Sequence, residues 1–373
     1  MKILVLCYEY PPVGGGGGRM AHNVGSALVR RGHSVRVQTV RLPDLPEHEV
    51  RDGVDIFRAS GFRRRADYCT VPEMFGYLAT SFLPSLAHIR EWKPDIVHAH
   101  FAVPTGALAL ACMILTGVPY VLTAHLGDLP GGNPDQTGGL FRVLNPFIRP
   151  IWKNAAGISA SSSFAAGLAQ VAYGVEPRVI LNGISMEGKA AAARPPSRPL
   201  ELVAIGRFNP QKNFLWLARA LAGCNFPWRL SLIGDGSQRG EIESAIRDGG
   251  IEDRVNLMGW VTENSMREVL AKSDVLLMPS TSEGNPVAAI EALKQGVAIL
   301  GSDIGGLSDL LQNGENGFAV PLATPDAFRE KLAWMASHPD GLHKMKACSL
   351  EAARRFDLEK IAAGFEELLS DSA

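Results

Sequence analysis

The sequence has 373 residues, more than one ordinary hydrophobic core accommodates, which indicates two domains. An apolar fraction of 46% and a charged fraction of 20% are typical of a soluble globular protein. A net charge of −1 gives no overall attraction to nucleic acid or to an acidic partner. The five cysteines are odd in number, widely spread and without a CxxC pair. They favour buried thiols in a reducing cytoplasm over a disulfide framework or a zinc site.

The N-terminus and one long uncharged stretch bear on targeting. Residues 1–12 carry one lysine and a short apolar run ending at prolines, which predicts a first β-strand and not a signal peptide. Residues 96–127 lack Asp, Glu, Lys and Arg, but prolines and glycines at 104–106 and 117–119 divide them into strand, helix and strand. We therefore expect the buried centre of a domain and not a membrane span, which needs about 20 apolar residues in a row.

Predicted strands and helices alternate along the chain. Strands are expected at residues 2–8, 34–40, 54–58, 95–98, 120–123 and 157–160, with a helix near 20–31 after a glycine-rich loop. After a Pro- and Ala-rich linker at 190–199, strands are expected at 202–205, 229–233, 255–258, 275–278 and 298–301. Such alternation indicates right-handed βαβ units and parallel sheets.

The predicted fold is therefore α/β, with two Rossmann-like domains facing each other across a cleft. The domains are expected at residues 1–190 and 199–355. The last helix, within residues 356–373, either stays with the second domain or packs back on the first.

The most informative polar arrangement lies in residues 280–291. Glu283 and Glu291 are eight residues apart, separated by a Gly284-Asn285-Pro286 turn. A short buried strand is predicted before them, and Pro286 suits the first turn of a helix because its missing N–H would be unpaired there. Two carboxylates at one strand-to-helix junction favour a binding site over two solvated charges, because ligands bind outside the carboxyl ends of parallel strands.

Further candidates follow other predicted strands. The glycines of residues 14–18 could bring the backbone close to an anionic ligand, or could form only a flexible turn. Arg207 and Lys212 follow the first strand of the second block, where cations suit a diphosphate. His125 and Asp128 follow a buried strand and are not needed for its core. His98 and His100 are interpreted as structural or cleft-lining, because no ligand set completes a metal site.

An ordered set of motifs carries a family resemblance. Its members are Gly15-Gly16, Gly32-His33, Asp95-Ile-Val-His-Ala-His100, Asn182-Gly-Ile184, Gly206-Arg-Phe with Lys212, Leu232-Ile-Gly-Asp-Gly236, Glu283-Gly-Asn-Pro with Glu291-Ala, Gly296, Ser302-Asp-Ile-Gly-Gly306 and Asn313-Gly-Glu-Asn-Gly317. The set resembles the retaining GT-B-fold glycosyltransferases of family four, also called group-one glycosyl transferases, and covers nearly the whole chain.

The resemblance implies roles for the residues that match. Glu291 would hold the ribose hydroxyls of a nucleotide-diphosphate sugar, and Glu283 the hydroxyls of its sugar. Arg207 and Lys212 would neutralise the diphosphate, and His125 would face the sugar near the reacting carbon. The remaining implied contacts are Gly16, Gly17, Gly284, Asn285, Pro286 and Val287 with the donor, Val261 with its base, and Gly15 and Asp128 with the acceptor.

The implied reaction moves a hexose-type sugar from a UDP- or GDP-linked donor to a glycan, glycolipid or small-molecule acceptor. No metal or other cofactor is expected, because cations and helix N-termini can stabilise the departing diphosphate. The residues show no obvious nucleophile for a covalent intermediate. The hypothesis is therefore that the acceptor attacks the anomeric carbon on the same face from which the phosphate leaves. The alternatives are a GT-B-fold sugar-nucleotide epimerase, a non-catalytic nucleotide-sugar-binding paralogue and a dinucleotide-dependent oxidoreductase, which would need a fingerprint that is absent.

Acceptor identity is not encoded in a recognisable motif. The first domain should bind the acceptor, through segments such as 62–65, 68–77 and 131–146. The arginines at 63–65 are either a solvated face or a contact for an anionic lipid or sugar, which would place the protein at the inner face of a membrane. Roles in polysaccharide or lipopolysaccharide biosynthesis would fit, and nucleic acid is not an expected partner.

Overall fold

The computed structural model describes residues 1–66, 69–132, 145–188 and 192–373. The chain forms two compact units. Unit 1 comprises Met1–Ser185 with Leu358–Ala373, and unit 2 comprises Met186–Asp357. Each unit contains one sheet whose strands are mostly or wholly parallel, with helices in the connections. The predicted α/β class with two parallel-sheet domains is confirmed. Parts of the segments expected to bind the acceptor, and of the linker, lie outside the described residues.

Unit 1 contains an eight-stranded sheet. Its strands are β1 (Lys2–Leu6), β2 (Ser34–Arg41), β3 (His48–Arg51), β4 (Val54–Ser60), β5 (Ile96–His100), β6 (Tyr120–Ala124), β7 (Gly157–Ala160) and β8 (Arg178–Val179). The strand order is β3-β4-β2-β1-β5-β6-β7-β8, and only the pairing of β3 with β4 is antiparallel among the described strands. The helices before the linker are α1 (Gly16–Arg30), α2 (Val71–Trp92), α3 (Ala107–Thr116), α4 (145–153) and α5 (Ser163–Tyr173).

Both faces of this sheet are covered, as the unbroken apolar run of β1 requires. Leu4 and Leu6 belong to the apolar cluster shared with α2, α3, α4 and α5. Ile3 and Val5 point the other way, into the cluster that contains the buried face of α1. A strand of a parallel sheet that is buried on both sides has no polar alternation, and the sequence of β1 has none.

Unit 2 contains a six-stranded parallel sheet. Its strands are β9 (Leu200–Ile205), β10 (Trp228–Ile233), β11 (Val255–Gly259), β12 (Val275–Met278), β13 (Ala298–Ser302) and β14 (Gly317–Val320), in the order β11-β10-β9-β12-β13-β14. Its helices are α6 (Phe214–Ala222), α7 (Arg239–Asp248), α8 (Glu263–Lys272), α9 (Val287–Lys294), α10 (Pro325–Ser337) and α11 (Pro339–Ala353).

The last helix, α12 (Leu358–Asp371), belongs to unit 1 and packs against α1. Phe365 and Leu369 are buried in the apolar cluster on that face of the sheet. Two ion pairs join the helices at their rim, Arg30 with Glu359 at 2.8 Å and Arg31 with Glu366 at 2.5 Å. Removing α12 would expose this core.

Three strands and one helix start differ from the predictions. The strands β3, β8 and β14 were not predicted, because they are only two to four residues long, and β3 (HEVR) is largely charged. Helix α1 begins at Gly16, four residues before the predicted start, so three glycines form its first turn. Residues 96–127 do form β5, α3 and β6, and no helix in the described part of the chain has the length and apolarity to cross a membrane.

Candidate active site

Two neighbouring strands of unit 2, β9 and β12, end at the same edge of the sheet because they are parallel. Gln211, in the loop after β9, joins that loop to the one after β12. Its backbone oxygen accepts the N–H of Thr281 at 2.9 Å, and its side-chain amide donates to the Ser282 oxygen at 3.0 Å. These hydrogen bonds fix the loop that carries Lys212 against the loop that carries Glu283.

Lys212 and Glu283 form a direct ion pair at this edge. The Lys212 Nζ lies 2.5 Å from the Glu283 Oε1, and the Ser280 hydroxyl donates to the same oxygen at 2.6 Å. The Glu283 side chain is 6% exposed and that of Lys212 is 19% exposed. A cation and a carboxylate, both largely shielded from water, are therefore adjacent at the carboxyl ends of two parallel strands.

The backbone after Glu283 is held in an unusual conformation. Asn285 has φ +88°, a left-handed backbone value that residues other than glycine rarely adopt. Gly306 is required on the other side, because a Cβ atom there would overlap the Glu283 carbonyl oxygen. Such strain is found where the surrounding structure fixes a functional loop.

Helix α9 begins directly after this turn. Pro286 is its N-cap, with extended backbone and no side-chain capping bond, and Val287 is its first residue. The sequence predicts Pro286 inside the first turn, so the helix begins one residue later than predicted. The uncapped N-terminus gives the turn a partial positive charge, which favours an anion beside Gly284 and Val287.

Glu291, in α9, is buried and pairs with a residue of the preceding helix. Its Oε1 lies 3.3 Å from the Nη2 of Arg267 in α8, and its side chain is 4% exposed. Among the described residues, its Oε2 has no hydrogen-bond partner although it is buried. Buried carboxylate oxygens are rarely left unpaired in native proteins, so this atom is a candidate for ligand contact.

The other predicted site residues of unit 2 surround these pairs less tightly. Arg207 is exposed in the loop after β9, whereas Val261 is half-buried in the loop before α8. Next to Val261, Trp260 is 58% exposed. Gly234, at the end of β10, lets the chain pass close to Gly206, because a Cβ atom there would overlap the Gly206 oxygen.

In unit 1, the N-terminus of α1 lies against His125 and Phe101. Gly15 is the N-cap and Gly16 the first residue, and glycine has no side chain with which to cap this end. A Cβ atom at Gly17 would lie 2.5 Å from the Phe101 Cζ and 3.1 Å from the His125 Nδ1. The rings of Phe101 and His125 stack with centroids 4.2 Å apart. The structure therefore brings together Gly17 and His125, which lie over 100 residues apart in sequence.

Three buried histidines continue from this point into the sheet. The His125 Nε2 lies 3.4 Å from the His100 Nδ1, and His98 and His100 are neighbours on β5 with ring centroids 4.3 Å apart. Burial lowers the pKa of His125 to about 4 and that of His98 to about 3, and it lowers the pKa of His100 well below its ordinary range. All three imidazoles are neutral at pH 7. In the described residues, no group of three or more His, Cys, Asp or Glu is placed to hold a metal ion.

Asp128 closes the turn that follows His125. Its Oδ2 accepts the His125 N–H at 2.9 Å, and its carboxylate also accepts the backbone N–H groups of Ala102 and Val103. Burial raises the pKa of Asp128 to about 7 in spite of these bonds. The geometry gives Asp128 the role of fixing the turns after β5 and β6, and its contact with an acceptor stays a prediction.

Four residues of these sites were not found from the sequence. For Ser280 the only local signal was its position three residues before Glu283. Arg267 had none, since it lies 24 residues before Glu291. Phe101 (φ +74°) and Glu9 also had none, and the Glu9 carboxylate accepts the Gly15 N–H at 3.2 Å.

Comparison with known proteins gives consistent matches over most of the chain. Residues 14–187 match the family model described as Glycosyltransferase Family 4, and residues 199–338 match the one described as Glycosyl transferases group 1. The glycogen synthase of Mycobacterium tuberculosis is 29% identical over 346 residues, which cover 85% of this chain and 81% of its own length.

Solved structures that share the fold include two that cover nearly the whole chain. Sucrose-phosphate synthase from Thermosynechococcus elongatus has a TM-score of 0.84 at 19% identity, with 98% of both chains covered. HepE of Anabaena, solved in complex with UDP and glucose, has a TM-score of 0.77 at 17% identity, with 99% of both chains covered.

Proposed function

Because this chain belongs to the family-four, group-one glycosyltransferases and has their GT-B fold, we propose that it is a retaining hexosyltransferase. The donor would be a UDP- or GDP-linked sugar, and the acceptor a glycan, a glycolipid or a small molecule. HepE, with which the chain shares its fold, was solved with UDP and glucose, which supports a UDP-linked donor.

The observation that carries this proposal is the Lys212–Glu283 pair at the carboxyl edge of the unit 2 sheet. A nucleotide-diphosphate sugar places an anion next to sugar hydroxyls. An adjacent cation and carboxylate match those two groups, because Lys neutralises phosphate as a point charge and a carboxylate accepts hydroxyl hydrogens. Glu291 would hold the ribose through its buried, unpartnered Oε2. Arg207 would add a second cation at the diphosphate.

The proposed chemistry is attack on the face from which the diphosphate leaves. Breaking the sugar–phosphate bond develops positive charge on the anomeric carbon and negative charge on the leaving diphosphate. Lys212, Arg207 and the N-terminus of α9 would stabilise the anion. The neutral imidazole of His125 would add no positive charge beside the developing cation. The Asp128 carboxylate is occupied by backbone N–H groups, which makes it a poor nucleophile and supports same-face attack.

The stereochemistry of the product tests this reaction. Proton NMR of the first product formed from an α-linked UDP-sugar should show the α-anomeric coupling, because a retaining enzyme preserves the configuration. A β-configured product would contradict the retaining mechanism without contradicting glycosyl transfer. Conversion of the donor into an epimeric nucleotide sugar would instead favour an epimerase, and release of nucleotide together with free sugar would favour a hydrolase.

We also propose that transfer requires no divalent metal, because Arg207, Lys212 and the α9 N-terminus supply positive charge for the diphosphate. Initial rates should be the same, within about twofold, after the protein is treated with EDTA and after Mg²⁺ or Mn²⁺ is added back. A rate that falls at least about tenfold with EDTA and recovers with metal would contradict this part of the proposal.

A contact of unit 1 with an anionic membrane surface is a further part of the proposal, with one correction. Arg63 is not available for it, because its guanidinium is 1% exposed, donates to the Tyr8 and Ala66 oxygens and pairs with Glu9. Arg64 and Arg65 are exposed. They lie next to Phe62, which is 72% exposed, and to the start of α2, where Phe75 is 62% exposed. Cations beside exposed aromatic rings suit an anionic lipid surface.

Vesicle binding tests this contact without disturbing Arg63. Changing Arg64 and Arg65 to Ser should reduce sedimentation with phosphatidylglycerol-containing vesicles at least about threefold, and the loss should shrink as salt is raised. The control changes two exposed cations of unit 2, Arg247 and Lys344, to Ser, which removes the same charge elsewhere. If both variants lose vesicle binding equally, or if neither loses it, a specific contact through Arg64 and Arg65 is contradicted.

A further inference from the structure

Arg267 and Glu291 form an ion pair that joins helices α8 and α9. The Arg267 Nη2 donates to the Glu291 Oε1 at 3.3 Å, whereas its distance to Glu263, one turn earlier on α8, is 3.9 Å. Glu263 is 48% exposed and Glu291 is 4% exposed. The pair with Glu291 is therefore the shorter and the more shielded of the two.

A carboxylate as buried as Glu291 needs a compensating charge. Removing an ionised carboxylate from water is costly unless it is paired and hydrogen-bonded. Arg267 is the cation that supplies this at Oε1, and hydrogen bonding to Glu291 is also the main reason why the pKa of Arg267 is raised. In the described structure, the second oxygen of the same carboxylate has no partner. One oxygen is thus fixed by protein and the other is left to accept a hydrogen bond.

The segment that carries Arg267 also carries the loop predicted to lie at the nucleobase. Helix α8 begins at Glu263, directly after Trp260 and Val261, and Thr262 caps it by accepting the Ser265 N–H at 3.2 Å. Arg267 lies one turn into this helix. A single rigid element therefore links the expected base contact to the carboxylate expected to hold the ribose.

We infer that Arg267 is a positioning residue for nucleotide recognition: it fixes the Glu291 Oε1, so that Oε2 accepts a hydroxyl hydrogen of the donor's ribose. This inference rests on the proposed function, because it assumes that unit 2 binds a nucleotide. It goes beyond that function by assigning the ribose contact a partner on another helix. Arg267 itself is not expected to touch the reacting atoms.

The opposing interpretation is that the pair only ties α8 to α9. In that case, losing it would lower stability and weaken all nucleotides equally. The inference predicts a selective effect. Discrimination between a ribonucleotide and its dideoxy analogue should collapse, because an unfixed carboxylate no longer presents Oε2 in one orientation.

The test is calorimetric binding of UDP and 2′,3′-dideoxy-UDP to wild-type protein and to the variants Arg267→Gln and Arg267→Lys. The corresponding GDP pair replaces them if the wild-type protein selects GDP. The wild type should prefer the ribonucleotide at least about tenfold, as expected for hydroxyl contacts to a carboxylate. Arg267→Gln should lose most of that preference by weakening UDP, with little change for the dideoxy analogue. Arg267→Lys should restore part of it.

The matched control, Glu263→Gln, alters the other carboxylate near Arg267. It should leave the preference for the ribonucleotide over its dideoxy analogue unchanged.

The outcomes separate the inference from the function on which it rests. If the wild type binds UDP or GDP and Arg267→Gln keeps the ribose preference, the inference is wrong and the proposed function stands. Equal weakening of UDP and dideoxy-UDP in Arg267→Gln would also overturn it, in favour of a pair that only joins the two helices. If the wild type binds neither UDP nor GDP, the proposed function itself fails.

Discussion

At the scale of single residues, His98, His100 and His125 make the stability of unit 1 dependent on pH. Their folded pKa values lie below the ordinary value of 6.5, because burial disfavours the charged imidazolium. The unfolded chain therefore binds more protons than the folded chain below pH 6.5. The stability that these groups contribute is present above pH 6.5 and is lost as the pH falls toward about 4 and 3.

Asp128 acts in the opposite direction. Burial raises its pKa to about 7, so the stability that it contributes is present below the ordinary value of 3.8 and is lost as the pH rises through 7. Between pH 4 and 6.5 the two effects oppose each other. Three histidines against one carboxyl group should leave a net loss of stability toward acid pH.

We predict that the urea midpoint of unit 1 decreases between pH 7 and pH 5, and that His98→Gln reduces this decrease. A glutamine amide can still bond to Thr123, which accepts or donates at 2.7 Å from the His98 Nε2, but it cannot take up a proton. Fluorescence-monitored urea titrations at the two pH values measure the difference. The same decrease in both proteins would show that His98 does not titrate on unfolding as described.

Arg63 shows why some site residues could not be predicted. Three consecutive arginines have the pattern of a solvated, charged face, and two of them are exposed. Arg63, the first of the run, is buried because it packs against Tyr8 and Glu9. These two partners lie more than 50 residues earlier in the chain. Local sequence carries no trace of such a contact. The same holds for Arg267, whose partner lies on the next helix.

At the scale of elements, the glycines in the N-terminal turn of α1 differ in how closely they are packed. Glycine disfavours helix, which is why the sequence predicts a loop at residues 14–18. The helix nevertheless starts at Gly16. Glycines occupy its first turn because two of these positions lie too close to neighbouring atoms to carry a side chain. A Cβ atom at Gly18 would overlap the Glu9 oxygen, and one at Gly17 would press on Phe101.

Matched substitutions test this packing. Gly17→Ala should destabilise unit 1 by about 1–3 kcal/mol through overpacking against the Phe101 ring. At Gly16, in the same turn, a new methyl group would meet no atom within 4 Å apart from its chain neighbours and the backbone of its own helix. Gly16→Ala should therefore change stability by less than about 1 kcal/mol, in the stabilising direction. Thermal unfolding of the two variants gives the comparison. Equal effects would contradict the close packing of α1 on Phe101.

Elements that carry strong local signals were predictable. The apolar runs of β1, β6, β7 and β12 and the glycine stop after α3 predict the observed elements to within one or two residues. The short strands β3, β8 and β14 depend on pairing with neighbours, so their two to four residues contain too little pattern. The start of α9 was misplaced by one position for a similar reason, since a proline is acceptable both at the cap and inside the first turn.

At the scale of the whole molecule, the order of motifs along the chain predicts the family, whereas the division into units depends on long-range contacts. Unit 1 is discontinuous, because α12 returns to pack on α1 after the chain has completed unit 2. The amphipathic pattern of α12 predicts a helix with a buried face. It does not specify which sheet that face covers.

Under the proposed function, Glu283 and Glu291 would hold two different parts of one donor, Glu283 the sugar and Glu291 the ribose. Glu283 faces Lys212 and Ser280 in the loop, and Glu291 faces Arg267 on α8. Two carboxylates that lie eight residues apart are thus supported by separate partners, and their replacement should have separable effects.

The most direct measurement is calorimetric titration of UDP into wild-type protein, Glu283→Ala and Glu291→Ala, with transfer rates measured in parallel. Glu283→Ala should abolish transfer while keeping UDP affinity within about threefold, because the bare nucleotide lacks the sugar. Glu291→Ala should weaken UDP itself at least about tenfold, through loss of the ribose contact. Loss of UDP binding in Glu283→Ala together with normal binding in Glu291→Ala would contradict the assignment.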